Sequence, residues 1–185
     1  MQEGDLYILN DPYDGASHLP DISVVMPIFH GGRVIAFTAA LTHHQDLGGM
    51  TPASVPTNAT EIFQEGFRIP PLRLRRNGEY DETLLALLRQ NVRLPAVFTG
   101  DLNAQIACCT IGARRLAELA AQYGGNHLVA LFDELLDRSE RMVREALRKL
   151  PEGTYRYTNW LDNDGVELDR RLKIEVAVTI RDGTI

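Results

Sequence analysis

Apolar and polar residues alternate near the start of the chain with the two-residue period of β-strands. This pattern predicts strands over residues 5–9, 22–29 and 33–42, and the His30-Gly31-Gly32 turn joins the last two into a hairpin. Along the second arm of the hairpin, His43 ends the more apolar face, which includes Phe37 and Leu41, and His44 ends the opposite face. We expect the face that ends at His43 to be the more buried one.

The middle of the chain changes to the three- and four-residue spacing of amphipathic helices. The spacing predicts a helix over 81–91, a second that is capped by Asp101 and stops at Gly124-Gly125, and a third that is capped by Asn126 and ended by Pro151. We expect the second and third to form an antiparallel pair. Between the strands and these helices, residues 48–56 are predicted as an ordered loop and 60–67 as a short helix.

Beyond Gly153 the two-residue period returns and predicts strands over 154–160 and 172–180, joined by an acidic hairpin turn at 162–165. A second turn sequence, 181–184, is followed by one residue, so we expect either a fragment of a longer protein or a partner that covers the strand edge. The predicted fold class is α+β, with an N-terminal β-hairpin or mixed sheet, a central antiparallel helix pair and the C-terminal strands of an incomplete sheet. The predicted regions are a metal-site β-rich region (1–80), a helical region (81–150) and the start of a further, truncated β region (151–185).

Composition narrows the functional classes. The chain has 185 residues, 44% of them hydrophobic, and a net charge of −6, with no basic cluster beyond 73–76, so nucleic acid is not an expected partner. Because there is neither a signal-like leader nor a long apolar run, neither secretion nor membrane insertion is expected. Cys108 and Cys109 are adjacent in a helical pattern and cannot easily pair, which favours the cytoplasm.

Carboxylates and imidazoles gather where the predicted strands end. Asp11 follows the first strand, His18 and Asp21 flank a turn that contains Pro20, and His43 ends the hairpin arm. Two carboxylates and two imidazoles without a nearby thiolate favour Mn²⁺, Fe²⁺ or Zn²⁺ and leave coordination positions for water and substrate. The alternative is that the aspartates cap turns and the histidines are ordinary polar residues at a strand end.

Several motifs, taken in order, resemble the hydantoinase B/oxoprolinase family: NDPY at 10–13, HLPD at 18–21, HHQDLGG at 43–49, EIFQEG at 61–66, RIPP at 68–71 and GDLNAQ at 100–105. This family includes the B subunits of ATP-dependent hydantoinases, the matching part of 5-oxoprolinase and a subunit of acetone carboxylase. Its members are several-fold longer than this chain, which supports the expectation of a fragment.

The resemblance implies a metal site with two aspartate and two histidine ligands, which fall on Asp11, His18, Asp21 and His43. His44 and Asp46 follow as catalytic candidates, whether as ligands, as residues that orient the ligands or as proton carriers. The candidate substrate-binding residues are Gly48, Gly49, where the backbone can approach a ligand closely, and Glu65, a candidate acid or base four residues after Glu61.

The function that the resemblance implies is that of a metal-dependent subunit in an ATP-dependent hetero-oligomer. A hydantoinase A-type partner would use ATP to activate a cyclic amide such as a hydantoin or 5-oxoproline, and this subunit would open the ring. No Gly-x-x-x-x-Gly-Lys phosphate loop is present, which agrees with that division of work. Two alternatives stay open: carboxylation of an activated enolate, as in acetone or acetophenone carboxylase, and a non-catalytic assembly piece.

Overall fold

The computed structural model describes all 185 residues. The strands are β1 (Leu6–Leu9), β2 (Asp21–His30), β3 (Arg33–His43), β4 (Leu72–Arg76), β5 (Glu79–Tyr80), β6 (Gly153–Leu161) and β7 (Leu172–Ile180). The helices are α1 (Glu82–Gln90), α2 (Pro95–Tyr123) and α3 (Gly125–Leu147), and short 3₁₀ turns occupy Pro52–Ser54 and Ile62–Gln64. The α+β prediction is confirmed.

The chain forms two compact units, Met1–Leu128 and Val129–Ile185. The boundary between them falls inside α3, within the region that the sequence marked as helical. Because α2 belongs to the first unit and most of α3 to the second, the predicted antiparallel pairing of these helices stays a prediction. No helix combines the length and the apolar composition needed to cross a membrane.

The first unit is built on a five-stranded sheet with the strand order β3-β2-β1-β4-β5, and every neighbouring pair is antiparallel. The predicted β2–β3 hairpin is confirmed. Its turn needs positive φ at two successive positions, which Gly31 and Gly32 supply with φ of 58° and 76°. Strands β4 and β5 were not predicted from the sequence, because the short run Leu72–Arg76 becomes a strand only by pairing with β1, across a register shift between Leu6 and Tyr7.

Helix α2 covers one face of this sheet. The core between them consists of buried apolar residues from both layers, including Leu6, Ile8, Ile22, Val24, Phe98, Leu102, Ile106 and Cys109. We call this side of the sheet the covered face and the other side the open face. Side chains of the hairpin that lie on the covered face are shielded from solvent by α2, and those on the open face are not.

The expectation that the His43 face of β3 is the more buried one is wrong. Phe37 and Leu41 lie on the open face and are 53% and 55% exposed, whereas Thr38 and Ala40 face α2. The reason is the closeness of the helix: a Cβ added at Gly112 would stand 2.9 Å from Thr38 Cγ2. Small side chains on β3 permit that approach and large ones do not, so the bulkier face points away.

The helix ends agree with the sequence in part. The helix predicted over 81–91 is α1, and Asp81 caps it by accepting a hydrogen bond from the Leu84 amide at 2.9 Å. Helix α2 ends at Gly124, whose φ is 90°, also as predicted. It begins at Pro95, however, so Asp101 lies inside the helix rather than at its cap, because proline is well suited to the first helical turn.

The second unit contains the β6–β7 antiparallel pair, in register from Gly153↔Ile180 to Leu161↔Leu172. Both strands match the predicted ranges closely. After β7, Arg181 and Thr184 pair across a turn in which Asp182 and Gly183 have positive φ, so the predicted second turn is present.

Candidate metal centre

Three of the predicted ligands meet at one end of the hairpin. His18 lies in the loop before β2, Asp21 begins β2, and His43 ends β3 directly opposite Asp21 in the strand register. His18 Nδ1 is 2.7 Å from Asp21 Oδ2, and His43 Nδ1 is 3.3 Å from Asp21 Oδ1. One ligand atom from each residue lies within 4.8 Å of the others, a spacing compatible with a single metal ion.

The backbone around the cluster is held by the turn at Pro20. The Asp21 amide donates to the His18 carbonyl at 3.0 Å, which closes a turn that brings both side chains to the same side. Asn10, fully buried, donates from its Nδ2 to the Leu19 carbonyl at 2.8 Å and so anchors this turn to the end of β1. The cluster therefore stands on a fixed loop rather than on a free one.

The cluster lies on the open face and carries no arginine or lysine partner. The Asp21 side chain is 16% exposed, and the two imidazoles are about half exposed, with ring centroids 5.2 Å apart. Each carboxylate oxygen faces one imidazole. Two nitrogen donors and one oxygen donor at an accessible position form a set that divalent Mn, Fe and Zn accept.

Asp11, the fourth predicted ligand, is not part of this group. Its carboxylate accepts hydrogen bonds from Arg68 Nε at 3.1 Å, from Arg68 Nη2 at 2.6 Å and from the Tyr13 amide at 3.0 Å. The hydrogen bonds from Arg68 and Tyr13 lower the pKa of Asp11 despite the opposing effect of burial. As a ligand, Asp11 stays a prediction.

His44, next in sequence to His43, lies on the other side of the strand end and is fully buried. Its Nε2 is 2.9 Å from Gln105 Oε1, and its Nδ1 has no hydrogen-bond partner. Burial lowers the pKa of His44, although the Gln105 contact and the charge of Asp101 act in the opposite direction. Of the two adjacent histidines, His43 is therefore accessible to solvent and His44 is buried.

Asp46 organises the loop that follows. Its carboxylate accepts from the backbone amides of Gly48, Ala53 and Arg93 at 3.0–3.1 Å and from Arg93 Nη1 at 2.9 Å. Burial alone would raise the pKa of Asp46, but these hydrogen bonds outweigh it and lower the pKa. Arg93 also donates to the Gly48, Gly49 and Thr51 carbonyls.

The predicted substrate-binding residues pack against their own chain. A Cβ at Gly48 would stand 2.8 Å from the Asn91 carbonyl oxygen, and one at Gly49 would stand 2.5 Å from the Gln64 carbonyl oxygen. Both glycines also have positive φ, so close packing accounts for them without a ligand. Glu65 follows the Ile62–Gln64 turn and is not part of the His18 cluster. The substrate role of all three stays a prediction.

Four structurally important residues were not singled out from the sequence: Asn10, Arg68, Arg93 and Gln105. A usable signal existed for Gln105, because it is a polar residue between Leu102 and Cys109 on the apolar stripe of α2. Asn10 and Arg68 begin two of the motifs that carried the family resemblance. Nothing in the sequence pointed to Arg93, because most of its partners are backbone carbonyl groups, which no residue type marks.

Comparisons with known proteins agree with the motifs. The family model described as hydantoinase B/oxoprolinase matches residues 1–185. The chain is 39% identical over 181 residues to the caprolactamase subunit beta of Pseudomonas jessenii, covering 98% of this chain and 31% of that protein. It is 32% identical over 168 residues to the acetophenone carboxylase delta subunit of Aromatoleum aromaticum (90% and 25%) and 32% identical over 181 residues to 5-oxoprolinase of Dictyostelium discoideum (94% and 14%).

The structural comparison gives the same answer. The crystal structure of the ATP-dependent caprolactamase from Pseudomonas jessenii superposes with a TM-score of 0.85 at 37% identity, covering 99% of this chain and 31% of that one. The chain spans less than a third of the length of each of these relatives. With a family model that matches the whole chain and relatives above 30% identity, the chain belongs to the hydantoinase B/oxoprolinase family.

Proposed function

We propose that this chain carries the metal-binding part of a subunit that opens a cyclic amide in an ATP-dependent complex. The observation that supports this most is the convergence of His18, Asp21 and His43 at one accessible end of the hairpin. The substrate class is taken from relatives named caprolactamase and 5-oxoprolinase.

The residues present fit a divalent ion. Nitrogen and oxygen donors without a thiolate favour Mn, Fe or Zn, and three protein ligands leave positions open for water and substrate. When bound, such an ion polarises a carbonyl or phosphoryl oxygen and lowers the pKa of bound water. Asp11 is the proposed fourth ligand. Both Arg68 hydrogen bonds go to its Oδ2, so Oδ1, which accepts from the Tyr13 amide, is the oxygen that could bind an ion while Arg68 stays in place.

Each candidate residue has its own role in this proposal. His18 and His43 bind through ring nitrogens at half-exposed positions, and Asp21 between them supplies the charge that attracts the cation. Asp46 fixes the loop that contains Gly48 and Gly49, so that backbone groups of the loop stay in place when a substrate contacts them. Glu65 is a proposed substrate-binding residue.

We infer that ATP is used by an A-type partner, so that the working form is a hetero-oligomer. The relatives named beta and delta subunits support this arrangement. Both cysteines are free thiols, in keeping with a reaction in the reducing cytoplasm.

A second candidate function is carboxylation of an activated enolate. The specific support is the 32% identity to the acetophenone carboxylase delta subunit over 90% of this chain. The same cluster would then hold the enolate oxygen in place of an amide oxygen. A non-catalytic assembly role is the outcome if the cluster binds no metal, since the hydrogen bonds of Asp21 to both histidines satisfy the carboxylate without one.

Metal content measured by mass spectrometry after purification without chelator tests the proposal. We expect near-stoichiometric Mn, Fe or Zn in the wild type, loss of the metal in Asp21→Ala and His43→Ala, and retention in Asp14→Ala, an exposed aspartate outside the cluster. A wild type without metal, or equal retention in all the variants, would refute the metal site. Mixing the loaded protein with an A-type partner, ATP and either a lactam or a ketone plus bicarbonate then separates hydrolysis from carboxylation.

A further inference from the structure

A buried polar pair lies beneath the cluster, on the covered face. The pair consists of His44, which is fully buried, and Gln105 of α2, which is 3% exposed. The His44 ring also contacts Phe98, with ring centroids 5.1 Å apart. Buried polar groups need hydrogen-bond partners within the protein. The partners of this pair therefore show which atoms donate and which accept.

The orientation of the Gln105 amide is determined by its partners. Gln105 Nε2 is 2.8 Å from the Ile22 carbonyl oxygen and 2.9 Å from the Ala40 carbonyl oxygen. Both partners can only accept, so the NH₂ group must be on this side and Oε1 must face His44. Because Oε1 also only accepts, His44 Nε2 must carry the proton, and in the neutral ring Nδ1 is then the bare nitrogen, which agrees with its lack of a partner.

This pair holds the backbone on both sides of the cluster. Gln105 bonds the carbonyl of Ile22, which follows Asp21, and that of Ala40, on the strand that ends at His43. The His44 amide donates to the Pro20 carbonyl at 2.8 Å, on the other side of Asp21. One glutamine thus connects α2 to both strands that carry ligands.

We propose that Gln105 is a positioning residue of the metal centre, which holds His44 as the Nε2–H tautomer and keeps Asp21 and His43 at ligand spacing. This inference rests on the proposed function. In it, His44 orients the site through the backbone and is not a ligand. Loss of such supporting contacts typically weakens metal binding by about 10–100-fold.

The test uses the full chain and four variants. Gln105→Met removes every amide hydrogen bond at nearly the same volume, and Asn103→Met is the matched control at an exposed position of the same helix. His44→Gln keeps a donor toward Gln105, whereas His44→Phe removes it. The readouts are Mn²⁺ affinity and line shape by electron paramagnetic resonance, and the imidazole tautomer by long-range ¹H–¹⁵N correlation in the metal-free protein.

We expect the wild-type spectrum to contain the signals of one histidine in the Nε2–H form, and the His44→Gln spectrum to lack those signals, which assigns them to His44. Gln105→Met should release that tautomer and weaken Mn²⁺ binding about 10–100-fold with a changed line shape. His44→Gln should bind within about threefold of wild type and His44→Phe much less tightly, while Asn103→Met changes nothing.

Two results would overturn the inference. One is an unchanged tautomer and affinity in folded Gln105→Met. The other, which holds even if that variant does not fold, is loss of Mn²⁺ by folded His44→Gln, since His44 would then be a ligand. A wild type that binds none of Mn²⁺, Fe²⁺ and Zn²⁺ refutes the proposed function instead, and the tautomer in metal-free Gln105→Met still decides whether Gln105 orients His44.

Discussion

The two faces of the N-terminal sheet treat their polar groups in opposite ways. On the open face, the Asp21 carboxylate pairs with His18 and with His43, and both imidazoles are about half exposed. On the covered face, His44 and Gln105 are bonded to the chain and shielded from solvent. Adjacent residues at one strand end therefore differ: His43 is accessible, whereas His44 is buried and its backbone amide bonds the Pro20 carbonyl.

The difference follows from burial. A polar group without water must find its hydrogen bonds within the protein, and once it has found them it is costly to move. A group on the open face keeps the option of exchanging its partner for an ion or a substrate. The site thus combines replaceable contacts above the sheet with fixed contacts below it.

The largest expected difference between the faces is in packing. Ile8→Ala on the covered face, where the side chain is fully buried, should lower the free energy of unfolding by about 2–5 kcal/mol. Leu41→Ala on the open face should change it by less than about 0.5 kcal/mol. Urea denaturation of both variants measures this, and equal losses would mean that the open face is also packed in solution.

Much of the scaffold was predictable because its signals are local. The β2–β3 hairpin follows from alternation and two glycines, and helix α1 follows from the three- and four-residue spacing of its leucines. The meeting of His18, Asp21 and His43 was expected from their positions at strand ends and from the family motifs, and the structure brings these three together.

What the sequence did not predict depends on contacts between distant parts of the chain. The more apolar face of β3, which includes Phe37 and Leu41, is the exposed one, because the close approach of α2 requires small residues on the other face. The engagement of Asp11 by Arg68 and of Asp46 by Arg93 joins residues 57 and 47 positions apart, which spacing along the chain does not reveal. Gln105 is the intermediate case, since a polar residue on an apolar stripe was visible but its partners were not.

Fixed polar contacts in the loop after β3 should also depend on pH, and Asp46 allows a test. Asp46→Asn removes the charge that Arg93 and three backbone amides stabilise. We expect it to lower the free energy of unfolding by about 1–3 kcal/mol at pH 7. The folded-state pKa is lowered, so this contribution is present above the unfolded pKa of about 3.9 and is lost as pH falls through the folded value.

The difference in the free energy of unfolding between wild type and Asp46→Asn should therefore be constant from neutral pH down to about pH 5 and become smaller at more acidic pH. Urea denaturation at a series of pH values gives the profile. Glu3→Gln, which changes an exposed carboxylate that makes no hydrogen bond or ion pair, is the control and should follow the wild type. A difference that grows in acid would contradict the assigned sign.

The closeness of α2 to the covered face predicts opposite outcomes for two glycines of one helix. At Gly100 nothing lies within 4 Å of an added Cβ, so Gly100→Ala should stabilise the protein by about 0.5–1 kcal/mol through helix propensity. At Gly112 the Cβ would meet Thr38, whose hydroxyl donates to the Cys109 carbonyl at 3.1 Å and resists rotation. Gly112→Ala should therefore destabilise the protein by about 1–3 kcal/mol, which a shift in the thermal unfolding midpoint measures. Stabilisation by both changes would show that Thr38 moves aside at little cost.

The smallest effect is a matter of reactivity, and it compares neighbours on α2 as His43 and His44 are compared on β3. Cys108 is exposed, whereas Cys109 is 1% exposed and its Sγ lies 3.4 Å from the Val24 carbonyl oxygen. Burial raises the pKa of the Cys109 thiol, which leaves less of the reactive thiolate. Under native conditions a thiol reagent should therefore modify Cys108 and leave Cys109 until the protein unfolds, and Cys108→Ser should abolish the fast reaction. Fast labelling that persists in Cys108→Ser would mean that α2 leaves the sheet often enough to expose the covered face, and the fixed contacts inferred for Gln105 would then be only transient.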